Sequence, residues 1–212
     1  MQHISDTREH RVDQAARLSL IGFIVVGAFI GYEWFMSGLT KIVRGGFPSG
    51  LADELREKSE GTVGWYKAFL DDVVIPNGRL FGVMIQFGEL IIGIVLIGAA
   101  IVALVRWNRL SYRAEMTMLV LVALSAAGSI LMNINFHLAN GSAHPWLIPK
   151  DGFDEGLDMD SLLPLIELVL LVVSVRVAML LRRAHRTPRV AESGSGHSGT
   201  TGQITGAGGM VG

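Results

Sequence analysis

Nine polar or ionisable side chains interrupt the long apolar stretches of this sequence, and they are the residues with chemistry to offer. They are Glu33, Lys41, Gln86, Glu89, Asn133, Asn135, His137, Glu167 and Arg176. Carboxylates and an imidazole exchange protons, while amides hold hydrogen-bond donors and acceptors in fixed places. At bilayer depth an ionisable group is costly unless it is paired, neutralised or hydrated, so such groups mark function by default. The structural alternative is specific too. Glu33 and Lys41 stand two turns apart along one helix and can pair through Ser37. Asn and Gln side chains also bridge membrane helices for packing, at about 0.6–2 kcal/mol each. Three carboxylates at one depth, Glu33, Glu89 and Glu167, favour function over packing.

Several chemistries are excluded. There is no cysteine, hence no disulfide, thiolate metal site, iron–sulfur cluster or dithiol centre. His137 is the one histidine near an apolar interior. A b-type haem in a bundle usually needs two facing histidines, so no haem is assigned; His137 and His144 are a weaker candidate metal pair at the outer face, and no metal is assigned. Phosphate-binding, dinucleotide, nucleophile-elbow and zinc-protease motifs are absent. The net charge of -1 and the lack of a basic stripe argue against nucleic acid.

The elements that must position these residues are apolar helices. Half of the 212 residues are hydrophobic and 17% are charged, against about a quarter charged in a soluble domain. The charge is concentrated between four runs, at about residues 18–43, 80–104, 116–139 and 162–181. Each is near the roughly 20 residues that cross a hydrocarbon core of about 30 Å. The first reads as an uncleaved signal anchor, being too long for a signal-peptide core of about 7–15 residues. The fold class expected is an all-α membrane protein, a four-transmembrane-helix bundle over 18–182. Residues 1–17 form a polar N-terminal segment, and 183–212 a disordered tail rich in Gly, Ser and Thr. The loop over 44–78 is expected to hold a short amphipathic helix at Leu51–Glu60. Gly88, Gly93 and Gly98 allow close helix contact.

Lysine and arginine set the orientation. Arg8, Arg11 and Arg17 precede the first span, Arg106, Arg109 and Arg113 join the second to the third, and Arg182, Arg183, Arg186 and Arg189 follow the fourth. The loop before the fourth span has only Lys150 among five acidic residues. The positive-inside rule puts both termini in the cytoplasm and the two longer loops outside. Glu33, Glu89, Asn133, His137 and Glu167 then all fall in the outer half of the membrane, and only Arg176 sits toward the inner side, where it can snorkel. A polar pocket near the outer face, walled by apolar helices, is the expectation.

Several segments are similar to those of a known family. Gly38-Leu39-Thr40-Lys41 resembles the close of the first helix in the DoxX family. Gly64-Trp65-Tyr66-Lys67-Ala68-Phe69-Leu70 with Val74-Ile75-Pro76-Asn77 resembles the outer loop of its DoxD-like branch. Gly88-Glu89-Leu90-Ile91-Ile92-Gly93, then Leu96 and Gly98, is similar to its second helix, and Asn133-Ile134-Asn135-Phe136 to the end of its third. The resemblance covers about residues 18–182, and departs from the pattern in the insert Lys150–Asp160 and in the tail.

The resemblance implies a multi-pass protein of the bacterial cytoplasmic membrane, a membrane subunit of a quinone-linked oxidoreductase of the thiosulfate:quinone type. Lys41, Glu89, Asn133 and Asn135 are the positions matched. On that reading quinone is the co-substrate. Glu33, Glu89 and His137 handle protons, while Gln86, Asn133, Asn135 and Glu167 hold the quinone. Lys41, Arg44 and Arg79 meet an anionic reductant. With no redox group of its own, the chain passes electrons directly or through a partner subunit. The alternative is a non-catalytic scaffold that docks a redox protein, as a homo- or hetero-oligomer. A proton or solute pathway ranks last, since the inner half of the spans offers almost no polar track.

Overall fold

The structure, a computed structural model, describes residues 2–106, 109–141 and 159–186. Most of the insert, 150–158, and the tail beyond 186 lie outside the described residues. Six helices follow in order: α1 (Gln2–Arg44), α2 (Phe47–Lys58), α3 (Gly64–Phe69), α4 (Gly78–Arg106), α5 (Tyr112–Ala139) and α6 (Met159–Arg186). Four of them are long and apolar enough to cross a membrane, over Leu18–Arg44, Gly78–Arg106, Tyr112–Ala139 and Leu162–His185. At 1.5 Å per residue the shortest, 24 residues, measures about 36 Å. The four expected apolar helices are there, extended by one to four residues at one or both ends. Helix α1 starts well before its apolar part, because the polar stretch up to Arg17 continues the same helix.

A spacing of alternating three and four residues organises the bundle. Ile24, Gly27, Gly31, Trp34 and Gly38 are buried on α1, and Gln86, Glu89, Gly93, Leu96, Ala100 and Ala103 on α4. Leu163, Glu167, Leu170 and Ser174 continue the pattern on α6, while on α5 the buried Met118, Val122, Ser125, Ser129, Asn133 and His137 are spaced mostly by four. This is the stripe of helices packed nearly parallel or antiparallel, knobs into holes. The other faces carry exposed Phe29, Ile94, Leu124, Leu131, Leu168 and Val172. Large apolar side chains pointing outward all along four helices suit a surrounding of lipid rather than water.

Helix α1 packs mainly on α4, and α5 on α6. Small residues set how close α1 and α4 come. A Cβ added to Gly93 would stand 2.5 Å from the Phe35 backbone nitrogen, and one on Gly38 2.6 Å from that of Leu90. Gly88 and Gly98, on the same helix, behave differently: Gly88 meets only the Met132 thioether, and Gly98 has nothing within 4 Å.

One end of the bundle is capped. Gly45 and Gly46, at φ 67° and 79°, turn the chain sharply after α1 in a backbone region that glycine enters without a steric cost. Helix α2 then lies across the start of α4, where Gly82 leaves room for the Pro48 backbone and Gly78 for Ala52. Helix α2 matches the expected amphipathic segment, starting four residues earlier. Beyond it a 3₁₀ turn (Ser59–Gly61), α3 and a π-helical turn (Leu70–Val74) complete the cap. Its own small core is Leu51, Leu55, Tyr66, Leu70, Val74 and Ile75. At the opposite end Tyr112 of α5 stacks on His185 of α6, ring centroids 4.1 Å apart.

Candidate functional site

Beneath the cap, four helices each turn a polar group inward. On α1 the stripe that buries Gly31, Trp34 and Gly38 ends at Lys41, so the lysine points at α4 where the glycines have drawn the helices together. Its Nζ donates to both carboxylate oxygens of Glu89 at 2.6 Å and to Ser37 Oγ at 2.7 Å. Glu89 is fully buried, while the Lys41 side chain keeps 22% exposure. A close, bidentate and partly buried pair of this kind offsets the cost of holding both charges out of water only because the geometry is good. The ammonium also lies 5.1 Å from the centre of the Phe47 ring and 5.9 Å from that of Phe136, two π-faces that favour a cation.

The second cluster is buried. Glu167 of α6 is fully buried; it accepts from Trp34 Nε1 at 3.0 Å on one oxygen and from Asn133 Nδ2 at 3.0 Å on the other. Three helices, α1, α5 and α6, are thereby tied through one carboxylate. Phe136 lies between the clusters, its ring 6.2 Å from that of Trp34.

A cavity of about 300 Å³ opens on the first cluster. Glu33, Ser37, Lys41, Glu89 and Asn133 supply polar wall, and α2 roofs it with Leu51, Leu55 and the ion-paired Glu54 and Lys58. Beside it a second cavity of about 320 Å³ is almost wholly apolar. There Tyr66 of α3 donates to Asn135 Oδ1 at 2.9 Å, and Asn135 Nδ2 to the Leu131 carbonyl at 2.6 Å. Burial pushes the Tyr66 phenol up to about 12, because the anion is disfavoured away from water.

The candidates from the sequence divide accordingly. Glu33, Lys41, Glu89 and Asn133 surround the polar cavity. Glu167 lies behind it, joined through Asn133. Gln86 and His137 are buried on the same helix stripes but are not part of the cavity wall. Asn135 faces the apolar cavity instead. Arg44 and Arg79 are exposed at the helix ends and do not line either cavity, so only Lys41 of the proposed anion-binding trio faces the pocket. Arg176 is exposed on α6, far from the cluster. Lys41 bonds to Glu89 and Ser37, which makes the ion pair an interhelical one.

Trp34, Tyr66, Phe47 and Phe136 are the site residues that the sequence reading passed over. Trp34 had a signal: it stands seven positions before Lys41, on the same stripe. Tyr66 had none, since its partner lies 69 residues away.

No family model, curated protein or solved structure matches this chain. Among the described residues no group of three or more His, Asp or Glu side chains is arranged to hold a metal ion.

Proposed function

We propose that this protein is the membrane subunit of a quinone-linked oxidoreductase, oriented with its capped end outside the cell and both termini in the cytoplasm. The observation that carries the reading is the Lys41–Glu89 pair, facing a cavity at the end of an apolar bundle. The cavity, about 300 Å³, lies at the small end of the range for ligand pockets, roughly 300–1,000 Å³, and suits a single ring. Quinone reduction takes up two electrons and two protons. The residues present fit a quinone head: the second N–H of Asn133 Nδ2 and a Lys41 N–H turned from Ser37 are hydrogen-bond donors for its carbonyl oxygens, and the Glu89 and Glu33 carboxyls are groups that hold and pass protons. The electrons come from an external reductant, thiosulfate by the resemblance to the DoxX family, or from a partner subunit. The roof of α2, with Lys58 at its end, is where a small anion arriving from water would meet the pocket.

A specific observation favours the alternative, a non-catalytic scaffold for a redox partner. Glu89 and Glu167 already have their hydrogen-bond partners within the bundle, as structural ties between helices would.

The deciding experiment is quantification of quinone in lipid extracts of the purified protein, beside a Lys41→Met/Glu89→Leu double variant checked for folding by circular dichroism. Near-stoichiometric quinone, absent from the folded double variant, is the result expected. Folded wild-type protein devoid of quinone would overturn the reading in favour of the scaffold.

A further inference from the structure

The apolar cavity needs its own explanation. It lies between the cap and helices α4 and α5, and it shares Leu51, Leu55, Phe136 and Ala139 with the polar pocket, so the two adjoin. Met84 and Leu131 line it and are 59% and 62% exposed. Both belong to the spanning helices, about 9 Å and 12 Å from the capped ends of α4 and α5 at 1.5 Å per residue. With those helices in a bilayer, its mouth opens onto hydrocarbon. Inside, the polar groups of Tyr66 and Asn135 are bonded to each other, so the cleft has little to offer water or a polar ligand. Its apolar walls offer dispersion contacts on several sides to a flexible chain from the lipid phase.

We propose that this lateral cleft holds the hydrocarbon chain of the same membrane-borne molecule whose head enters the Lys41–Glu89 pocket. The inference rests on the quinone reading, under which the chain is the isoprenoid tail. The shared wall is what ties the two cavities to one ligand: the polar cavity has room for a head and the apolar one for several carbons of chain. The cleft is therefore both the tail site and the side from which the ligand arrives out of the bilayer, while the roof over the polar pocket faces water.

The test uses the full chain in lipid nanodiscs and a benzoquinone whose decyl chain ends in a photoreactive diazirine. Adducts mapped by mass spectrometry are expected on Ile85 and Met132, which line the cleft, and to fall to the background seen at lipid-facing Ile94 in an Ile85→Phe/Met132→Phe variant that fills it. Two results overturn the inference while leaving the quinone reading intact: retention of the probe with adducts spread over Ile94 and other lipid-facing positions, or undiminished adducts in the filled variant. Equal cleft labelling by a diazirine phospholipid, uncompeted by quinone, overturns it in favour of an ordinary lipid chain. A probe that is not retained at all, by protein shown to be folded, overturns the quinone reading and this inference together.

Discussion

At the residue scale, the Lys41–Glu89 pair is the feature with the clearest energetic consequence. Glu89 is fully buried and its two carboxylate oxygens are both held by one ammonium. Removing only the lysine strands a buried charge, which costs about 3–5 kcal/mol where such pairs have been broken one partner at a time. Removing both charges, with apolar side chains of similar size, is often close to neutral. Lys41→Met is therefore expected to lower the unfolding temperature in detergent strongly, and Lys41→Met/Glu89→Leu to recover most of the loss. A double variant as unstable as the single one would mean that the pair is not coupled as the geometry indicates. The cycle matters for function because it yields a folded protein with an altered pocket, which is what the quinone measurement requires.

Helix packing carries the argument at the next scale up. Lys41 reaches Glu89 only because Gly38 and Gly93 let α1 and α4 approach until backbone meets backbone. A methyl at Gly93 would lie 2.5–2.6 Å from Phe35 backbone atoms, and main chain cannot step aside as a flexible side chain can. Overpacking of this kind costs about 1–3 kcal/mol, occasionally more. Gly93→Ala is expected to destabilise by at least that amount and to open the α1–α4 contact. Gly98→Ala, which meets nothing within 4 Å, is expected to be neutral or slightly stabilising, since alanine is the better helix former. Thermal unfolding of the two variants side by side checks both statements. Equal effects would contradict the packing described. In the sequence alone Gly88, Gly93 and Gly98 are indistinguishable.

For the whole molecule, the question is which end faces which side. Arg106, Arg109, Arg113, Arg182 and Arg183 cluster at the end opposite the cap, and the positive-inside rule assigns that end to the cytoplasm. The absence of cysteine makes this simple to measure, because a single introduced thiol is the only target in the chain. With a membrane-impermeant maleimide on intact cells, Glu60→Cys in the cap is expected to label, and Arg109→Cys only after the membrane is permeabilised. The reverse pattern would invert the orientation and place the polar pocket at the cytoplasmic face, removing external reductants from consideration.

The helical class, the number of long apolar helices and the place of each polar group along its helix are legible in the residues alone. Those properties are local: a run of apolar residues long enough to cross hydrocarbon has to be helical there, because its backbone groups have no other partners. The alternation of three and four that carries Trp34, Gly38 and Lys41, or Gln86, Glu89 and Gly93, is equally visible in one dimension, so the side of each helix that turns inward was legible as well. Which inward groups meet was not. Lys41 has two carboxylates within plausible reach, and the choice of Glu89 over Glu33 depends on the rotation of α1 against α4, which glycines on both helices fix jointly. Glu167 collects Trp34 and Asn133 from two other helices, and Tyr66 crosses from the cap to Asn135. Each of these contacts depends on the relative register of separate elements, which packing among all of them at once sets.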